Sequence, residues 1–512
     1  MANPPNILLI TSDQQHHGAL GAVNPRLRTP ALDRLCAEGT RFDRAYCPNP
    51  VCSPTRSSIL TGMYPSVHGC WTIGVRLPED VPTVGRYLAA QGYATGLIGK
   101  AHFQPLASSA QSPSLECQPT LRDLDFWRHF HGPWYGFDHI EVARNHADEA
   151  HAGQHYAIWM EDNGLPDWRD YFQSPDPGAR RDQRRRRWSW DLPERFHYSA
   201  WTAERTMAFI ERCQAAGRPF LCWASFHDPH PPYLVSAPWD RMYAAQDMAP
   251  GVLTPGEHER NPPHFRRTQE PHPDFSPWRE AFGVAGLHSH LQDPEELRRD
   301  IAVYYGMISL MDHHIGRILD RLDQLGLERE TLVVFTSDHG HFLGHHGLNR
   351  KGPFHYEDMI RVPFIVRHPG RVPAGRVGDE LVSLVDLAPT FLRAAGAPVP
   401  GAMQGVDQDQ AWRGQGAVRD HVLVENRCQG ECLSLRSYVT RTEKLTIYGD
   451  YGRDTVGGAS YGEFFDLARD PAEVANLWDE PAAQSRKGEL AIAFVRALIA
   501  SEPTRQERVA GA

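Results

Sequence analysis

The chain has 512 residues, of which 41% are hydrophobic and 23% are charged, values that fit a globular protein with one large core and a smaller satellite domain. The formal net charge of −10 argues against a general nucleic-acid or membrane-surface binder, so a polyanionic ligand would need a local basic pocket. The nine cysteines lack CxxC or zinc-finger spacing, which favours a reducing compartment.

Segments that resemble leader peptides or membrane spans are absent from the sequence. No apolar run approaches the ~18 residues that a spanning helix requires. The apolar run Ile7–Ile10 is too short for the core of a signal peptide and has no basic flank before it. The sequence therefore predicts a cytoplasmic protein without a membrane partner.

Strand-like and helix-like segments alternate through most of the chain, which predicts an α/β domain with a largely parallel sheet. The first strand is expected at residues 6–11 and a helix follows at about 30–39. Ser53 and Pro54 have the pattern of an N-cap and a first helical residue, and Gly62 marks the end of that helix. Later strands are predicted at 94–98, 220–226, 331–336 and 363–367, and the clearest helices at 201–216 and 295–325, the latter opened by Asp293-Pro294.

Two long segments interrupt this alternation and lack clear periodicity. They cover about 104–193 and about 236–292, and segments of this kind are usually lids, binding loops or subunit contacts. Beyond about 414, short strands at 422–425 and 445–448 precede a helix at 482–500. We therefore predict a large α/β domain over 1–414 and a small α+β subdomain over 415–512.

Polar residues follow each predicted strand of the large domain. The four strand endings are Thr11-Ser12-Asp13-Gln14, Gly99-Lys100-Ala101-His102, His227-Asp228-Pro229-His230 and Thr336-Ser337-Asp338-His339. Because ligands of an open parallel sheet bind outside the carboxyl ends of its strands, all four endings are expected at one site.

Two of these endings carry candidate metal ligands. Asp13, Gln14, Asp338 and His339 supply two carboxylates, an amide oxygen and an imidazole, a set that suits one divalent cation. Oxygen-rich sites favour Ca²⁺, our first choice, or Mg²⁺, while the imidazole leaves Mn²⁺ and Zn²⁺ open. The alternative is that each aspartate only caps the helix or turn that follows it.

Five cationic or donor side chains could hold a tetrahedral oxyanion: Arg56, Lys100, His102, His230 and Lys351. Taken singly, each is more often a solvated surface residue or a satisfied histidine. Cys52 precedes the predicted helix, whose N-terminus would stabilise a thiolate nucleophile. A small buried hydrophobe is the alternative for this cysteine.

Several stretches together resemble the type I sulfatase family. Cys52-Ser53-Pro54-Thr55-Arg56, with its Thr61-Gly62 ending, is similar to the C-x-P-x-R signature, and Gly92-Tyr93 through Lys100-Ala101-His102 is similar to the second signature. Further matching stretches are the first strand with Asp13, Asp228-Pro229-His230, Ser337-Asp338-His339-Gly340 through Lys351, and Phe465-Asp466-Leu467 with Asn476. The resemblance spans about 6–480 outside the two irregular segments.

The resemblance implies an alkaline-phosphatase-like fold and oxidation of Cys52 to formylglycine by a formylglycine-generating maturation enzyme. It also implies that Cys52 joins Asp13, Gln14, Asp338 and His339 around the metal. By similarity, Arg56 and Lys100 hold the formylglycine hydrate and His102 helps remove its second proton. His230 and Lys351 bind sulfate oxygens and assist the leaving group, and Lys100 also contacts the substrate. The implied substrate is a sulfate ester of a small molecule or saccharide.

Two departures bear on this assignment. Gln14 stands where many sulfatases have a second aspartate, and Gln14 with His339 is similar to the phosphonate monoester hydrolase branch. Lys100-Ala101-His102 keeps the sulfatase form, while Ile73 stands where either group leads us to expect asparagine. A phosphonate monoester or phosphodiester hydrolase is therefore the close alternative, and a non-catalytic binding protein is the distant one.

Two further segments allow weaker interpretations. The arginine run Arg180–Arg187 is interpreted as a solvated stretch or a contact between copies of the chain rather than a nucleic-acid patch. The Trp-rich segment, which includes Trp127, Trp134, Trp159, Trp168, Trp188 and Trp190, is predicted to supply part of the wall of the substrate pocket.

Overall fold

The structure is a computed structural model that describes residues 4–144, 152–172, 188–275, 292–427, 433–451 and 461–503. The arginine run lies outside the described residues. Within these ranges, no helix combines the length and the apolar character that crossing a bilayer requires.

The strands divide between one large sheet, one antiparallel sheet near the end of the chain and two short pairs. In chain order they are β1 Asn6–Ser12, β2 Thr40–Phe42, β3 Ala45–Tyr46, β4 Ala94–Gly99, β5 His139–Val142, β6 Trp188–Trp190, β7 Phe220–Ser225, β8 Leu234–Ser236, β9 Thr331–Ser337, β10 Phe364–Arg367, β11 Arg376–Gly378, β12 Val382–Ser383, β13 Val422–Arg427, β14 Leu433–Val439, β15 Glu443–Tyr451 and β16 Gly462–Asp466.

The large sheet has the strand order β11-β2-β10-β9-β1-β7-β4-β5. The five strands from β9 to β5 are parallel, whereas β10 runs antiparallel to both of its neighbours. The expected α/β class with a mostly parallel sheet is confirmed. The sequence did not show the reversed direction of β10, because an apolar run has the same pattern in either direction.

The α-helices cover both faces of this sheet. They are α1 Pro30–Glu38, α2 Cys52–Thr61, α3 Pro65–His68, α4 Val84–Ala90, α5 Leu124–His129, α6 Gln154–Asp162, α7 Tyr198–Ala215, α8 Pro263–Arg267, α9 Pro294–Gln324, α10 Glu357–Ile360, α11 Leu387–Ala394, α12 Asp409–Trp412 and α13 Gln484–Ala500. Asp293 caps α9 as predicted, since its side chain accepts from the backbone N–H groups of Glu295 and Glu296.

The core lies on both sides of the large sheet because alternate residues of a strand point to opposite faces. Ile7 and Leu9 belong to one buried cluster, and Leu8 and Ile10 belong to another. Burial on both faces explains why β1 is a continuous apolar run rather than an alternating pattern.

The first insertion is more regular than predicted. Residues 104–193 contain α5 and α6, and β5 extends the large sheet beside β4, so the prediction of an irregular segment was wrong there. The described part of 236–292 contains short 3-10 turns and the five-residue helix α8, and Ser236 at its start ends β8. In the C-terminal region, β13 to β16 form an antiparallel sheet. Helix α13 packs on this sheet through Leu490 and Phe494. This region fits an α+β subdomain, while the boundary at 414 stays a prediction.

Candidate active site

Four neighbouring parallel strands bring the loops that follow them to one edge of the large sheet. In the order β9-β1-β7-β4, these strands are followed by Asp338, Asp13, Asp228 and Lys100. The backbone N–H of Gln14 donates to Asp338 Oδ1 at 3.0 Å, and Lys100 Nζ forms a buried ion pair with Asp13. The expected convergence of the strand endings is therefore confirmed.

Cys52 lies at the centre of this edge. Helix α2 begins at Cys52 with Val51 as its N-cap, two residues before the predicted start, and all of its residues are buried. The thiol sulfur lies 3.2 Å from His339 Nε2 and 3.7 Å from Asp13 Oδ1, and Lys351 Nζ donates to it at 2.9 Å.

The surroundings of Cys52 favour negative charge at this position. Burial and Asp13 act to raise the pKa of the thiol, but Lys100, Lys351 and His339 outweigh them and lower it to about 7. The net shift at Cys47 has the opposite direction, because burial, followed by Asp338, raises the pKa of that thiol. An anionic oxygen in place of the sulfur would meet the same cations.

Arg56, on the next turn of α2, ties three loops together. Its Nε donates to Asp338 Oδ2 at 2.9 Å, and its Nη1 donates to Lys100 O at 3.1 Å and to Ser225 Oγ at 2.6 Å. The guanidinium and the Asp338 carboxylate are both fully buried. Such a fixed fork holds the surrounding loops in one arrangement.

Lys351 and His230 lie on the other side of Cys52. Lys351 Nζ is 3.1 Å from His230 Nε2 and 3.4 Å from His339 Nε2. Burial, followed by Lys351, lowers the pKa of His230 well below its usual value. Lys351 donates to the neutral His230 ring, so its ammonium group is the donor that suits the binding of an anionic oxygen here.

The donors needed for a divalent cation occur together in this site. Asp13, Cys52, Asp338 and His339 each offer one atom, and these four atoms lie within 4.8 Å of one another. Both amide atoms of the buried Gln14 side chain lack a hydrogen-bond partner among the described groups. Two carboxylates, an imidazole and an orphaned amide oxygen fit a hard or intermediate divalent ion.

His102 has an environment that the sequence did not reveal. Arg144 Nη2 donates to His102 Nε2 at 2.8 Å, so the neutral ring carries its proton on Nδ1. Burial, then Arg144, lowers the pKa of His102 well below its usual value. His102 has a φ of 62°, in the left-handed region that non-glycine residues rarely adopt.

Three site residues were missed by the sequence reasoning. Glu116 accepts from the backbone N–H groups of residues 102, 103 and 104 at 2.7–2.8 Å and thereby holds the strained turn at His102. Glu116 and Arg144 lie in the first insertion, far from any motif, and carry no local signal. Ser225 could have been found as the polar residue that ends β7.

The tryptophans of the first insertion are largely core residues. Trp127, Trp134, Trp168 and Trp190 are at most 4% exposed and belong to buried clusters. For these four side chains, dense packing rather than contact with a substrate explains the enrichment.

Comparisons with known proteins agree with the site. The family model described as "Sulfatase" matches residues 5–397, and the one described as "N-sulphoglucosamine sulphohydrolase, C-terminal" matches residues 344–497. An arylsulfatase of Clostridium perfringens is 28% identical over 92% of this chain and 90% of its own length. The uncharacterized sulfatase YidJ of Escherichia coli K12 is 28% identical over 93% of this chain and 83% of its own.

Solved structures show a similar fold. The crystal structure of a phosphonate monoester hydrolase of Agrobacterium radiobacter superposes with a TM-score of 0.77 and 23% identity, covering 97% of this chain and 96% of that one. At this identity the similarity establishes the fold, while the matched family model carries the assignment.

Proposed function

The chain belongs to the sulfatase family of sulfuric ester hydrolases, and we propose that it cleaves a sulfate monoester with a formylglycine derived from Cys52. The observation that carries this proposal is the position of Cys52. The residue stands at the first turn of a buried helix, within 3.2 Å of His339 and Lys351 and beside Asp13.

Formylglycine suits this position because its hydrate is a diol. One hydroxyl on the carbon can attack sulfur as the alcohol leaves, and the other can later lose its proton so that sulfate is expelled and the aldehyde re-forms. The overall reaction consumes one water and yields the alcohol and hydrogen sulfate. A maturation enzyme would carry out the oxidation of Cys52.

We propose that Asp13, Gln14, Asp338 and His339 hold one divalent ion next to residue 52. When bound there, the ion would lower the pKa of the attacking hydroxyl and offset the charge of a sulfate oxygen. The oxygen majority among these ligands favours Ca²⁺, and the neutral Gln14 and the imidazole of His339 leave Mn²⁺, Mg²⁺ and Zn²⁺ as alternatives.

The cationic residues divide into two groups by what they contact. Arg56 is tied to Asp338, and Lys100 is paired with Asp13, so both are placed to fix the geometry of residue 52. Lys351 Nζ contacts both Cys52 and His230. We propose that the pair formed by Lys351 and His230 binds sulfate oxygens and delivers a proton to the leaving alcohol.

His102 is proposed to help remove the proton of the second hydroxyl of the hydrate. In the structure its Nε2 accepts from Arg144, so its Nδ1–H is the atom that can donate to an oxygen. For His102 to accept a proton, Arg144 must first release Nε2. Arg144 therefore controls whether His102 acts as a hydrogen-bond donor or as a base.

The first test is the chemical state of residue 52. After tryptic digestion and thiol alkylation, the peptide from Ala45 to Arg56 contains Cys47 as an internal control. We expect Cys47 to be alkylated and residue 52 to have the mass of an aldehyde. If protein made with a competent maturation enzyme shows both cysteines alkylated, the formylglycine mechanism is wrong.

The second test separates substrates. We expect the converted protein to hydrolyse an aryl sulfate faster than an aryl phosphonate monoester, and Cys52→Ala to abolish both activities. Faster turnover of the phosphonate would favour the alternative reaction, which transfers a similar tetrahedral anionic centre at the same residues.

A further inference from the structure

A second group of metal-binding side chains lies outside the site around Cys52. His16 and His17 follow β1 beyond the Asp13 loop, His345 begins the 3-10 turn His345–Gly347, and Asp358 lies in helix α10. We call these four residues the rim cluster; the proposed reaction uses none of them.

The donor atoms of the rim cluster surround one carboxylate oxygen. Asp358 Oδ1 is 2.8 Å from His16 Nε2, 3.7 Å from His345 Nδ1 and 4.0 Å from His17 Nε2. One ligand atom each from His16, His345 and Asp358 lies within 4.8 Å of the other two. Nitrogen and oxygen ligands of a tetrahedral zinc ion are about 3.3 Å apart, given bonds of about 2.0–2.1 Å, so small side-chain movements suffice.

The carboxylate is oriented by a separate contact on its far side. His346 Nε2 lies 3.4 Å from Asp358 Oδ2, and His346 Nδ1 lies 3.0 Å from Glu257 Oε1. The His346 ring also stacks on Tyr356 with centroids 3.6 Å apart. A ligating carboxylate is commonly held in this way by outer hydrogen bonds, which leave its other oxygen for the metal.

The cluster can be reached from solvent. The side chains of His16, His17 and Asp358 are 11%, 22% and 13% exposed, and that of His345 is 41% exposed. The rings of His16 and His345 stack with centroids 5.5 Å apart, and each ring has a nitrogen within 3.7 Å of Asp358 Oδ1. An ion could therefore enter without opening the core.

We infer that the rim cluster binds a second divalent transition-metal ion, with His16, His345 and Asp358 as ligands and His17 as the nearest additional donor. Three imidazoles with a single carboxylate favour Zn²⁺ or a neighbouring transition metal over Ca²⁺ or Mg²⁺. The ligand chemistry therefore differs from that of the oxygen-rich site at Asp13 and Asp338.

One contact limits the affinity of this site. The backbone N–H of Gly18 donates to His16 Nδ1 at 3.0 Å, so the neutral His16 ring carries its proton on Nε2. Coordination through Nε2 moves that proton to Nδ1 and breaks the bond from Gly18. We therefore expect a dissociation constant on the order of micromolar, much weaker than that of a structural zinc site.

The test is a calorimetric Zn²⁺ titration of the untagged full-length protein after removal of metals with a chelator. We expect two classes of sites in the wild type. His345→Ala should weaken one class at least tenfold and leave the other unchanged. His313→Ala is the matched control, because His313 is also an exposed histidine, on α9, and is remote in sequence from the cluster.

A second readout identifies the ligands. Cu²⁺ loaded at the stoichiometry found for Zn²⁺ should show hyperfine coupling to nitrogen in its electron paramagnetic resonance spectrum. His345→Ala and the milder His345→Gln should each show coupling to one nitrogen fewer. Zn²⁺ titrations in which neither folded His345 variant weakens any class of sites relative to the wild type would overturn the inference. Neither outcome bears on the state of residue 52, so the proposed reaction is tested separately.

Discussion

Arg56 and Asp338 form a buried ion pair in which Nε donates to Oδ2 at 2.9 Å and neither side chain is exposed. The other oxygen, Oδ1, accepts from the backbone N–H groups of Gln14 and His339 at 3.0 and 2.9 Å. Asp338 is thus fixed at both oxygens. Arg56 also reaches Lys100 O and Ser225 Oγ, so one guanidinium sets the relative positions of three strand endings.

We expect Arg56→Lys to lower kcat on an aryl sulfate by about 10²–10³, the usual effect of removing one fixed donor from an active site. A lysine keeps the charge but cannot reach Asp338, Lys100 O and Ser225 Oγ together. Arg266→Lys is the control, because Arg266 is exposed. Unchanged kcat in Arg56→Lys would show that the fork geometry is dispensable.

Gln14 offers a direct test of the proposed metal site. The buried side chain has two amide atoms without a described partner, beside Asp13 and Asp338. Gln14→Glu keeps the length and adds a negative charge, so we expect at least about tenfold tighter Ca²⁺ binding, because ligand charge tunes the affinity of such sites. Chelator competition measures this change.

In the metal-free protein, the same substitution should be destabilising. Without an ion, a third carboxylate near Asp13 and Asp338 adds like-charge repulsion, so the unfolding temperature of metal-free Gln14→Glu should fall below that of the wild type. Equal metal affinities and equal unfolding temperatures would place the ion elsewhere.

Much of this site could be predicted because its parts have local signatures. Apolar runs located β1, β4, β7 and β9, and a parallel sheet requires their carboxyl ends to share an edge. The helix at Cys52 was predicted two residues late, because the Ser-Pro pair resembles a cap while Val51 is the residue that takes the cap position. Such local patterns predict that a helix or strand is present better than they predict the residues at which it begins and ends.

The residues that were missed act through long-range contacts. Glu116 receives three backbone N–H groups across 12–14 residues of irregular chain, and Arg144 contacts His102 from 42 residues away. Neither contact follows from periodicity or spacing. The direction of β10 likewise depends on how the chain crosses the sheet rather than on its apolar run.

Glu116 should matter for catalysis without contacting the substrate. Its carboxylate accepts three N–H groups around His102, and an amide offers only one oxygen, so Glu116→Gln turns one end of the side chain into a donor that faces donors. We expect kcat to fall by about 10²-fold through displacement of His102, with KM less affected. Glu116→Asp keeps both carboxylate oxygens and should retain part of the activity if positioning is the role of Glu116.

Arg144 should set the pH range in which His102 is neutral. Burial and then Arg144 lower the pKa of His102, so the wild-type ring stays neutral through the neutral range. Arg144→Gln removes the cationic contribution, so the pKa of His102 rises towards its usual value. The acid limb of the kcat/KM profile should therefore move to higher pH. Arg128→Gln, at an exposed arginine, should leave the profile unchanged, and an identical profile in Arg144→Gln would exclude this control of His102.

Glu463, on β16 of the C-terminal sheet, should make stability depend on pH. The side chain is fully buried, and Tyr448 donates to its Oε1 at 2.6 Å. Burial raises the pKa of Glu463 from 4.5 to about 7, against the opposing effects of Tyr448, Lys444 and His346. Because the folded state holds this proton more tightly than the unfolded state, the stabilisation is full below about pH 4.5 and is lost as the pH rises through about 7.

Glu463→Gln removes this titration while keeping the size and the hydrogen-bond acceptor of the side chain. We expect its free energy of unfolding, relative to the wild type, to improve by about 2.5 kcal/mol between pH 5 and pH 8, because the pKa of Glu463 is raised from 4.5 to about 7 in the folded protein. Urea unfolding midpoints at the two pH values measure the change. The exposed Glu259→Gln should show no such trend. A relative stability of Glu463→Gln that is independent of pH would mean that the carboxyl is already ionised in the folded protein at pH 5, because Lys444 and His346 then outweigh burial.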